Sequence, residues 1–345
     1  MTKSRQRPTV HDIAREAGVS LATVDRVLNA RPGVRANTIE KVRAAVERLG
    51  YVRDTFAANL ARQRQYRFAF VLPEGPGQFV GTLKAALGEV ARSQVAERTR
   101  IEIAMAPSHD PHAIVRRLHV FRGGGIDGIA LMAPETPQVR DAVARLRAEG
   151  LAVVAFVSDL PNSTRDHFVG INNLAAGRTA GLLMGRFATA PGEVMVVTNS
   201  MRSRDSLERR LGFDAVIGAE FGHLTVLPSI ESHDDPERML RVVEAVARER
   251  TRLVGVYSMG AGNEAMIEAL RRSGRLDALQ VIAHELTPVA RHALENREIA
   301  AVITQNVGHL VRSAVRVLRS LSDGVPIFEA QERIRIEVVL RENLP

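Results

Sequence analysis

The stretch "GVSLATVDRVLN", residues 18–29, reads as the end of one helix, a short turn and most of a second helix. Gly18 stands where a helix ends on a left-handed residue. Ser20 is placed to cap the next helix, and Val24, Val27 and Leu28 give that helix an apolar stripe at i, i+3, i+4. Three residues of turn force the two helices to cross steeply, which is helix-turn-helix geometry. Upstream, Thr9 and Asp12 are spaced for a reciprocal cap, followed by Ile13, Ala14 and Ala17. Downstream, a third helix is expected from about Asn37, with Ile39, Val42, Val46 and Leu49 on one face and Gly50 as its stop. The second helix keeps a free face carrying Leu21, Ala22, Asp25, Arg26 and Asn29.

Charge says what such a face is for. The chain has 345 residues and a net charge of +8; residues 1–64 hold 13 Lys/Arg against 6 Asp/Glu, so +7 of that excess sits in the first fifth. A basic end joined to a near-neutral body points to a polyanion. A helix that reads a groove needs an exposed first turn, so that side chains reach base edges and backbone N–H groups meet phosphate. The competing reading is a small helical protein-contact domain with a solvated basic surface. DNA binding is the expectation that joins charge to geometry.

Composition narrows the rest. Hydrophobic residues make up 45% and charged residues 25%, a globular balance. No apolar run reaches the roughly 18–20 residues of a membrane span, and "MTKSRQRPTVHDIAREAG" (1–18) lacks a signal-peptide core. A cytoplasmic protein without membrane association is expected. There is no cysteine, which removes disulfides, thiolate metal sites and a cysteine nucleophile.

"TVHDIAREAGVSLATVDRVLN" (9–29), "TIEKVRAAVERLGY" (38–51) and "FAANLARQ" (56–63) strongly resemble the N-terminus of LacI-family transcriptional regulators. The resemblance implies that Leu21, Ala22 and Arg26 face bases in the major groove and that Thr23 and Asn29 meet the backbone. The capping hydroxyls Thr9 and Ser20 join this DNA-facing set. It further implies a hinge helix after Tyr51 that orders on DNA, with Leu60 as a wedge between base pairs and Asn59 as a neighbouring contact. An apolar wedge unstacks a step and kinks the duplex, a cost offset by the added contacts. Two positions depart from the family. Arg53-Asp54 replaces the common Pro-Asn, although Asp54 can still cap. Asp25 stands where many members have Ser; it should either hold a base such as Arg26 or accept from a cytosine amino group.

From Tyr66 the pattern becomes short apolar runs between amphipathic stretches: "FAFVL", "IEIAM", "GIALM", "AVVAFV", "EVMVV", "LTVLP", "LVGVYS", "QVIAH" and "AAVIT". Alternating strands and helices imply parallel sheets covered on both faces, and nine units suit two lobes. "FVSDLP", "FVGINNLAAGRTAGLLMGRF", "RRLGF" and "VITQN" resemble the type I periplasmic-binding-protein fold. The expected fold class is therefore an all-α helix-turn-helix head followed by a two-lobe α/β domain with parallel, Rossmann-like sheets. The expected divisions are a head at 1–50, a hinge and linker at 51–66, and an effector-binding and dimerisation domain at 67–345. Its first lobe spans about 67–170 and 306–330, its second about 171–305 and 331–345.

Ligands of such sheets sit at the carboxyl ends of the strands. There the sequence places Asp159, Arg209, Asn263 and Gln305, with Phe79 just after the first strand; the resemblance implies ligand contacts at these positions. Glu285, with His284, joins the set. Amide and charged groups bond vicinal hydroxyls while an aromatic face covers C–H groups, which suits a sugar or polyol. Taken singly, each residue is also explained as a cap or an ion pair. Asn172 stands where relatives often have Asp, removing a charge near a lobe crossing.

"GAGNEA" (260–265) fits GxGxxA, but it lies far from the first βα unit and is a tight turn rather than a dinucleotide site. "HDPH" (109–112) reads as a loop and cap, not a metal site. No HExxH, GxSxG or Walker motif occurs, so no catalytic set, metal or cofactor is expected. The expectation is a homodimeric, ligand-responsive repressor of a pseudo-palindromic operator. The alternatives are a purine or nucleoside effector, or an α/β enzyme with a basic appendage. A transport protein is opposed by the basic head, and the absence of a leucine-heptad tail favours dimer over tetramer. Leu60→Ala should weaken operator binding in a gel shift while leaving ligand binding unchanged; equal operator affinity would remove the wedge.

Overall fold

A computed structural model describes residues 8–28, 31–51, 64–75, 77–94, 98–260 and 262–345. The chain forms two compact units, 1–64 and 65–345.

The first unit holds α1 (Val10–Ala17), α2 (Leu21–Leu28) and α3 (Ala36–Leu49). Thr9 and Asp12 form the reciprocal cap of α1, and Gly18 ends it at φ 62°. That left-handed conformation is costly for any residue with a Cβ. Ser20 accepts from the Thr23 N–H at 3.2 Å and so caps α2. Ile13, Val24, Val42 and Ala45 are fully buried, with Val27, Leu28, Val46 and Leu49 packed around them. Four fully buried side chains make a small core, so the head relies on its caps and turn.

The second unit contains two sheets. In the first lobe are β1 (Tyr66–Pro73), α4 (Gln78–Ser93), β2 (Thr99–Ala106), α5 (Pro111–His119), β3 (Gly128–Leu131), α6 (Pro137–Ala148), β4 (Ala152–Phe156) and β5 (His167–Val169). The strands are parallel in the order β2-β1-β3-β4-β5. The second lobe has α7 (Asn173–Phe187), β6 (Gly192–Thr198), α8 (Arg204–Glu220), β7 (Leu224–Glu231), α9 (Pro236–Glu249), β8 (Leu253–Ser258), α10 (Asn263–Arg272), β9 (Gln280–His284), α11 (Pro288–Glu295) and β10 (Ala301–Gln305). Three more elements follow: α12 (Val307–Asp323), α13 (Glu329–Glu332) and β11 (Ile336–Val339). Helix α12 packs on α4 and the first sheet, whereas β11 pairs antiparallel with β10 in the second. The chain thus crosses between lobes before α7, after β10 and after α13.

The second sheet runs β7-β6-β8-β9-β10-β11. Both sheets therefore share the same doubly wound core order, in which the chain reverses direction across the sheet beside the first strand. Nine of these strands are the apolar runs named above. The other two are β5, which is three residues long, and β11, which is an antiparallel edge and lacks the continuous apolar run of a strand buried on both faces. The first core joins Phe68, Phe70, Leu72 and Phe156 to Leu310 and Ala314 of α12. The rings of Phe70 and Phe156 meet edge-on at 5.4 Å. In the second lobe Met195, Val197, Val256, Leu270 and Val281 form a separate core.

Helices α7 and α8 lie unusually close. A Cβ on Gly177 would come within 2.0 Å of the Arg209 carbonyl oxygen, and one on Gly212 within 2.1 Å of the Leu174 carbonyl oxygen. An alanine in a helix ordinarily gains about 0.5–1 kcal/mol over glycine. Here overpacking against backbone, about 1–3 kcal/mol, outweighs that gain. Gly177→Ala should therefore lower the melting temperature of the body; a rise would refute the close contact.

Candidate functional site

The carboxyl ends of the two sheets face one cavity of about 960 Å³. That is a volume suited to a small molecule. Its wall takes Phe79 and Gln78 from α4, Met132 from the end of β3 and Ser158 from the end of β4. From the second lobe it takes Asn199 after β6, Asp205 and Arg209 of α8, Met259 after β8, Asn263 of α10 and Glu285 after β9. Val157 and Glu285, the residues next after β4 and β9, both adopt φ 67°. A left-handed conformation is strained for a β-branched residue and uncommon for Glu, and such strain collects at functional sites.

Arg209 is the charge centre of the floor. It is 2% exposed, brought there by the glycine contact of α7 with α8. Its Nε donates to Asn173 Oδ1 at 2.9 Å, Nη1 to the Met259 carbonyl at 2.8 Å and Nη2 to Glu285 Oε1 at 3.4 Å. Gln305 Nε2 also donates to Glu285 Oε1, at 3.1 Å, whereas Glu285 Oε2 and Gln305 Oε1 have no partner among the described residues. Burial pushes the Glu285 carboxyl above its ordinary range, opposed by the Arg209 guanidinium and raised further by Asp205. A buried polar atom without a partner costs about 1–3 kcal/mol, which a ligand hydroxyl bound there would recover.

Behind this floor, the Tyr257 hydroxyl and His284 Nε2 are 2.8 Å apart, and the Tyr257 ring stacks on Phe213 at 4.4 Å. Both are fully buried. Burial, with the Arg209 charge nearby, holds His284 well below its ordinary 6.5, so the ring is neutral; burial likewise pushes the Tyr257 hydroxyl up.

Of the residues expected at the ligand, Phe79, Arg209, Asn263 and Glu285 meet on the wall. Asn263 is internally satisfied: Ser258 Oγ donates to its Oδ1 at 2.6 Å, and its Nδ2 donates to the His284 carbonyl at 3.0 Å. Gln305 is not on the wall and acts through Glu285. Asp159 is a correction: Arg165 Nε and Nη2 hold its two oxygens, and Val157 and Ser158 line the cavity instead. The left-handed turn at Val157 explains the shift, because it redirects the chain directly after β4. Asn172 caps α7, accepting from the Ala175 N–H at 2.9 Å. Sequence reasoning missed Asp205, although it lies one helical turn before Arg209 and so on the same face. Ser158 Oγ donates to Asp205 Oδ1 at 2.9 Å. Gln78 likewise donates to Glu264 at 3.2 Å and Ser108 to Asp234 at 3.0 Å. In all three bonds the donor comes from the first lobe and the acid from the second.

In the head, Leu21, Ala22, Asp25 and Arg26 are exposed on α2, and Thr23 is half-buried. Arg26 has no acidic partner among the described residues. Asp25 lies 3.4 Å from the Arg31 guanidinium rather than joined to Arg26. Adjacent residues diverge by about 100° around a helix, whereas the Arg31 N–H bonds the Arg26 carbonyl at 2.8 Å, which holds Arg31 at the end of α2. Both side chains of the pair are more than half exposed, so it contributes little to stability. Asn29, Asn59 and Leu60 lie outside the described residues. Among those residues, no cluster of three His, Cys, Asp or Glu could hold a metal, and no helix is long and apolar enough to cross a membrane.

The neutral His284 has a consequence for stability. The folded state keeps the ring unprotonated while the unfolded chain takes a proton below about 6.5. This contribution is present above 6.5 and is lost as pH falls through that value. His284→Gln, which keeps a partner for Tyr257, should remove up to about 1.4 kcal/mol of acid loss per pH unit. Urea unfolding at pH 7 and pH 5.5 checks this; a stability difference between the two proteins that is the same at both values would refute it.

Residues 9–54 match the lacI family of bacterial regulatory proteins, and residues 68–325 match the periplasmic binding protein domain. Catabolite control protein A of Priestia megaterium is 29% identical over 167 residues, 46% of this chain and 48% of that protein. The maltose regulon regulatory protein MalI of Escherichia coli K12 is 28% identical over 150 residues, 44% of this chain and 42% of that protein. The chain thus spans about half the length of these relatives or less. In fold, the body is similar to GanP, a glucose-galactose binding protein from Geobacillus stearothermophilus, with a TM-score of 0.72 at 18% identity, covering 82% of this chain and 99% of that one. A helix-turn-helix head matching one family and a two-lobe body matching the other, together with these relatives, place the chain among the lacI-family bacterial regulatory proteins with a periplasmic-binding-protein domain.

Proposed function

We propose that this protein is a DNA-binding transcriptional regulator whose affinity for an operator changes when a sugar or polyol binds between the two lobes of its body. The observation that carries the reading is the cavity wall: Arg209, Asp205, Glu285 and Ser158 supply convergent polar groups, and Phe79 supplies an aromatic surface beside them. Vicinal hydroxyls need such closely spaced donors and acceptors, and sugar C–H faces suit an aromatic ring. The exposed Leu21 and Ala22 in the first turn of α2, with Arg26 further along the same helix, supply the groove-reading surface. One such helix reads only a few base pairs; a homodimer on a pseudo-palindrome doubles the contact.

Regulation needs two lobe arrangements with different ligand affinity. The three hydrogen bonds that span the cleft from lobe-one donors to lobe-two acids provide one of them. A ligand contacting both lobes shifts their balance, and operator affinity changes with it.

Selection of bound duplexes from a randomised library should return two related half-sites. Arg26→Ala should weaken binding to the selected duplex by about 1–3 kcal/mol and relax preference at one base position in each half. Arg209→Ala should leave duplex binding in place and abolish the response to ligand. A single asymmetric site, or a full ligand response in Arg209→Ala, would overturn the reading.

A further inference from the structure

The cavity wall carries a charge pattern that goes beyond recognition of hydroxyl groups. Among the described residues, nine carboxyl side chains line it, against two arginines and one histidine. The basic groups are already engaged. Arg271 lies 3.1 Å from Glu268 and 2.8 Å from Glu298, and the His292 ring is 3.8 Å from Glu295. Among the described residues, Arg209 is the only basic group on the buried floor. Three of its five N–H donors are taken by Asn173, Met259 and Glu285. Asp205, one turn earlier on α8, is close enough to Glu285 for its charge to act on it. The floor therefore holds two carboxyl groups to one guanidinium.

One observation points to what the floor accepts. Glu285 is 3% exposed and lines the cavity, and its Oε2 has no partner among the described residues. A carboxylate oxygen takes a donor: a ligand hydroxyl supplies one, whereas a phosphate or carboxylate supplies only further acceptors and a like charge. Inside an enclosed site, salt screens that repulsion little.

We propose that Glu285, assisted by Asp205, is a charge filter: it cancels the Arg209 guanidinium and leaves a buried acceptor unpartnered in the cavity wall, so that the pocket takes uncharged polyhydroxyl ligands and rejects their phosphorylated and carboxylated counterparts. The proposal rests on the sugar or polyol reading above and adds the class of ligand that the site refuses.

The test uses the full chain with D-glucose, D-galactose, D-arabinose and D-allose, each beside its terminal phosphate, together with D-glucuronate and D-galacturonate. Binding is read as a rise in melting temperature and quantified by calorimetry. At least one neutral sugar should bind, with its anionic counterpart at least tenfold weaker. Glu285→Gln keeps the size and an oxygen for Arg209 and Gln305, but removes the charge and puts an amide donor in place of Oε2, and should narrow that ratio at least tenfold. Asp205→Asn should narrow it less, and serves as the second variant should Glu285→Gln fail to fold. A merely structural role would weaken both ligands together and leave the ratio unchanged, which would overturn the proposal. So would an anionic counterpart that binds the unaltered protein as tightly as its neutral parent, in which case the polyhydroxyl reading survives. Binding by no member of the panel, neutral or charged, would overturn the polyhydroxyl reading and the filter with it.

Discussion

A guanidinium taken out of water must be given acceptors, and much of the second lobe is arranged to supply them to Arg209. Its three partners come from the first turn of α7, the chain after β8 and the chain after β9. These lie 36, 50 and 76 residues away in sequence. An unpaired buried charge is among the costliest features a fold can contain. The elements that carry the acceptors are therefore constrained to meet at one point, and that point is the cavity floor. The glycines of α7 and α8 belong to the same constraint, because only their missing Cβ atoms let the two helix backbones approach closely enough.

The two lobes repeat one scheme with different polar equipment. Each has the same core strand order, and in each the residue after the fourth parallel strand is left-handed, Val157 in one and Glu285 in the other. The first lobe gives mainly hydroxyl, amide and apolar groups to the cavity, while the second gives most of the charge. The bonds across the cleft reflect that division, running from neutral donors to acids. Hydrogen bonds to a charged acceptor contribute about 1.5–3 kcal/mol net. A ligand that offers hydroxyl donors to the same acids replaces them, which suits a cleft that changes arrangement on binding.

The head follows a different logic. Its core is too small to leave much surplus stability, and its local signals are correspondingly complete: a reciprocal cap, a left-handed glycine and a serine cap within about a dozen residues. The exposed face of α2 contributes almost nothing to that core. Its side chains are consequently unconstrained by packing, and Asp25 on that face pairs with Arg31 beyond the helix.

The helices of the head, the alternation of strand and helix in the body and the location of polar residues at strand ends were legible in the sequence, because each follows from short-range periodicity and turn chemistry. The resemblance to the periplasmic-binding-protein fold pointed to Phe79, Arg209, Asn263 and Glu285, and these four line the cavity. Asp205 was legible in principle, from its spacing of four to Arg209. The pairing of Asp159 with Arg165, the placing of Gln305 behind Glu285 and the partner of Asp25 were not. Each depends on where a side chain points once a left-handed residue or a chain reversal has turned the backbone. β5 and β11 escaped for a different reason: one is three residues long, and the other is an antiparallel edge strand without a continuous apolar run. What the sequence by itself determined is which segments must bury an apolar face and where their ends fall; which polar groups then share a buried charge was decided only by the tertiary structure, because desolvation acts on neighbours in space and not along the chain.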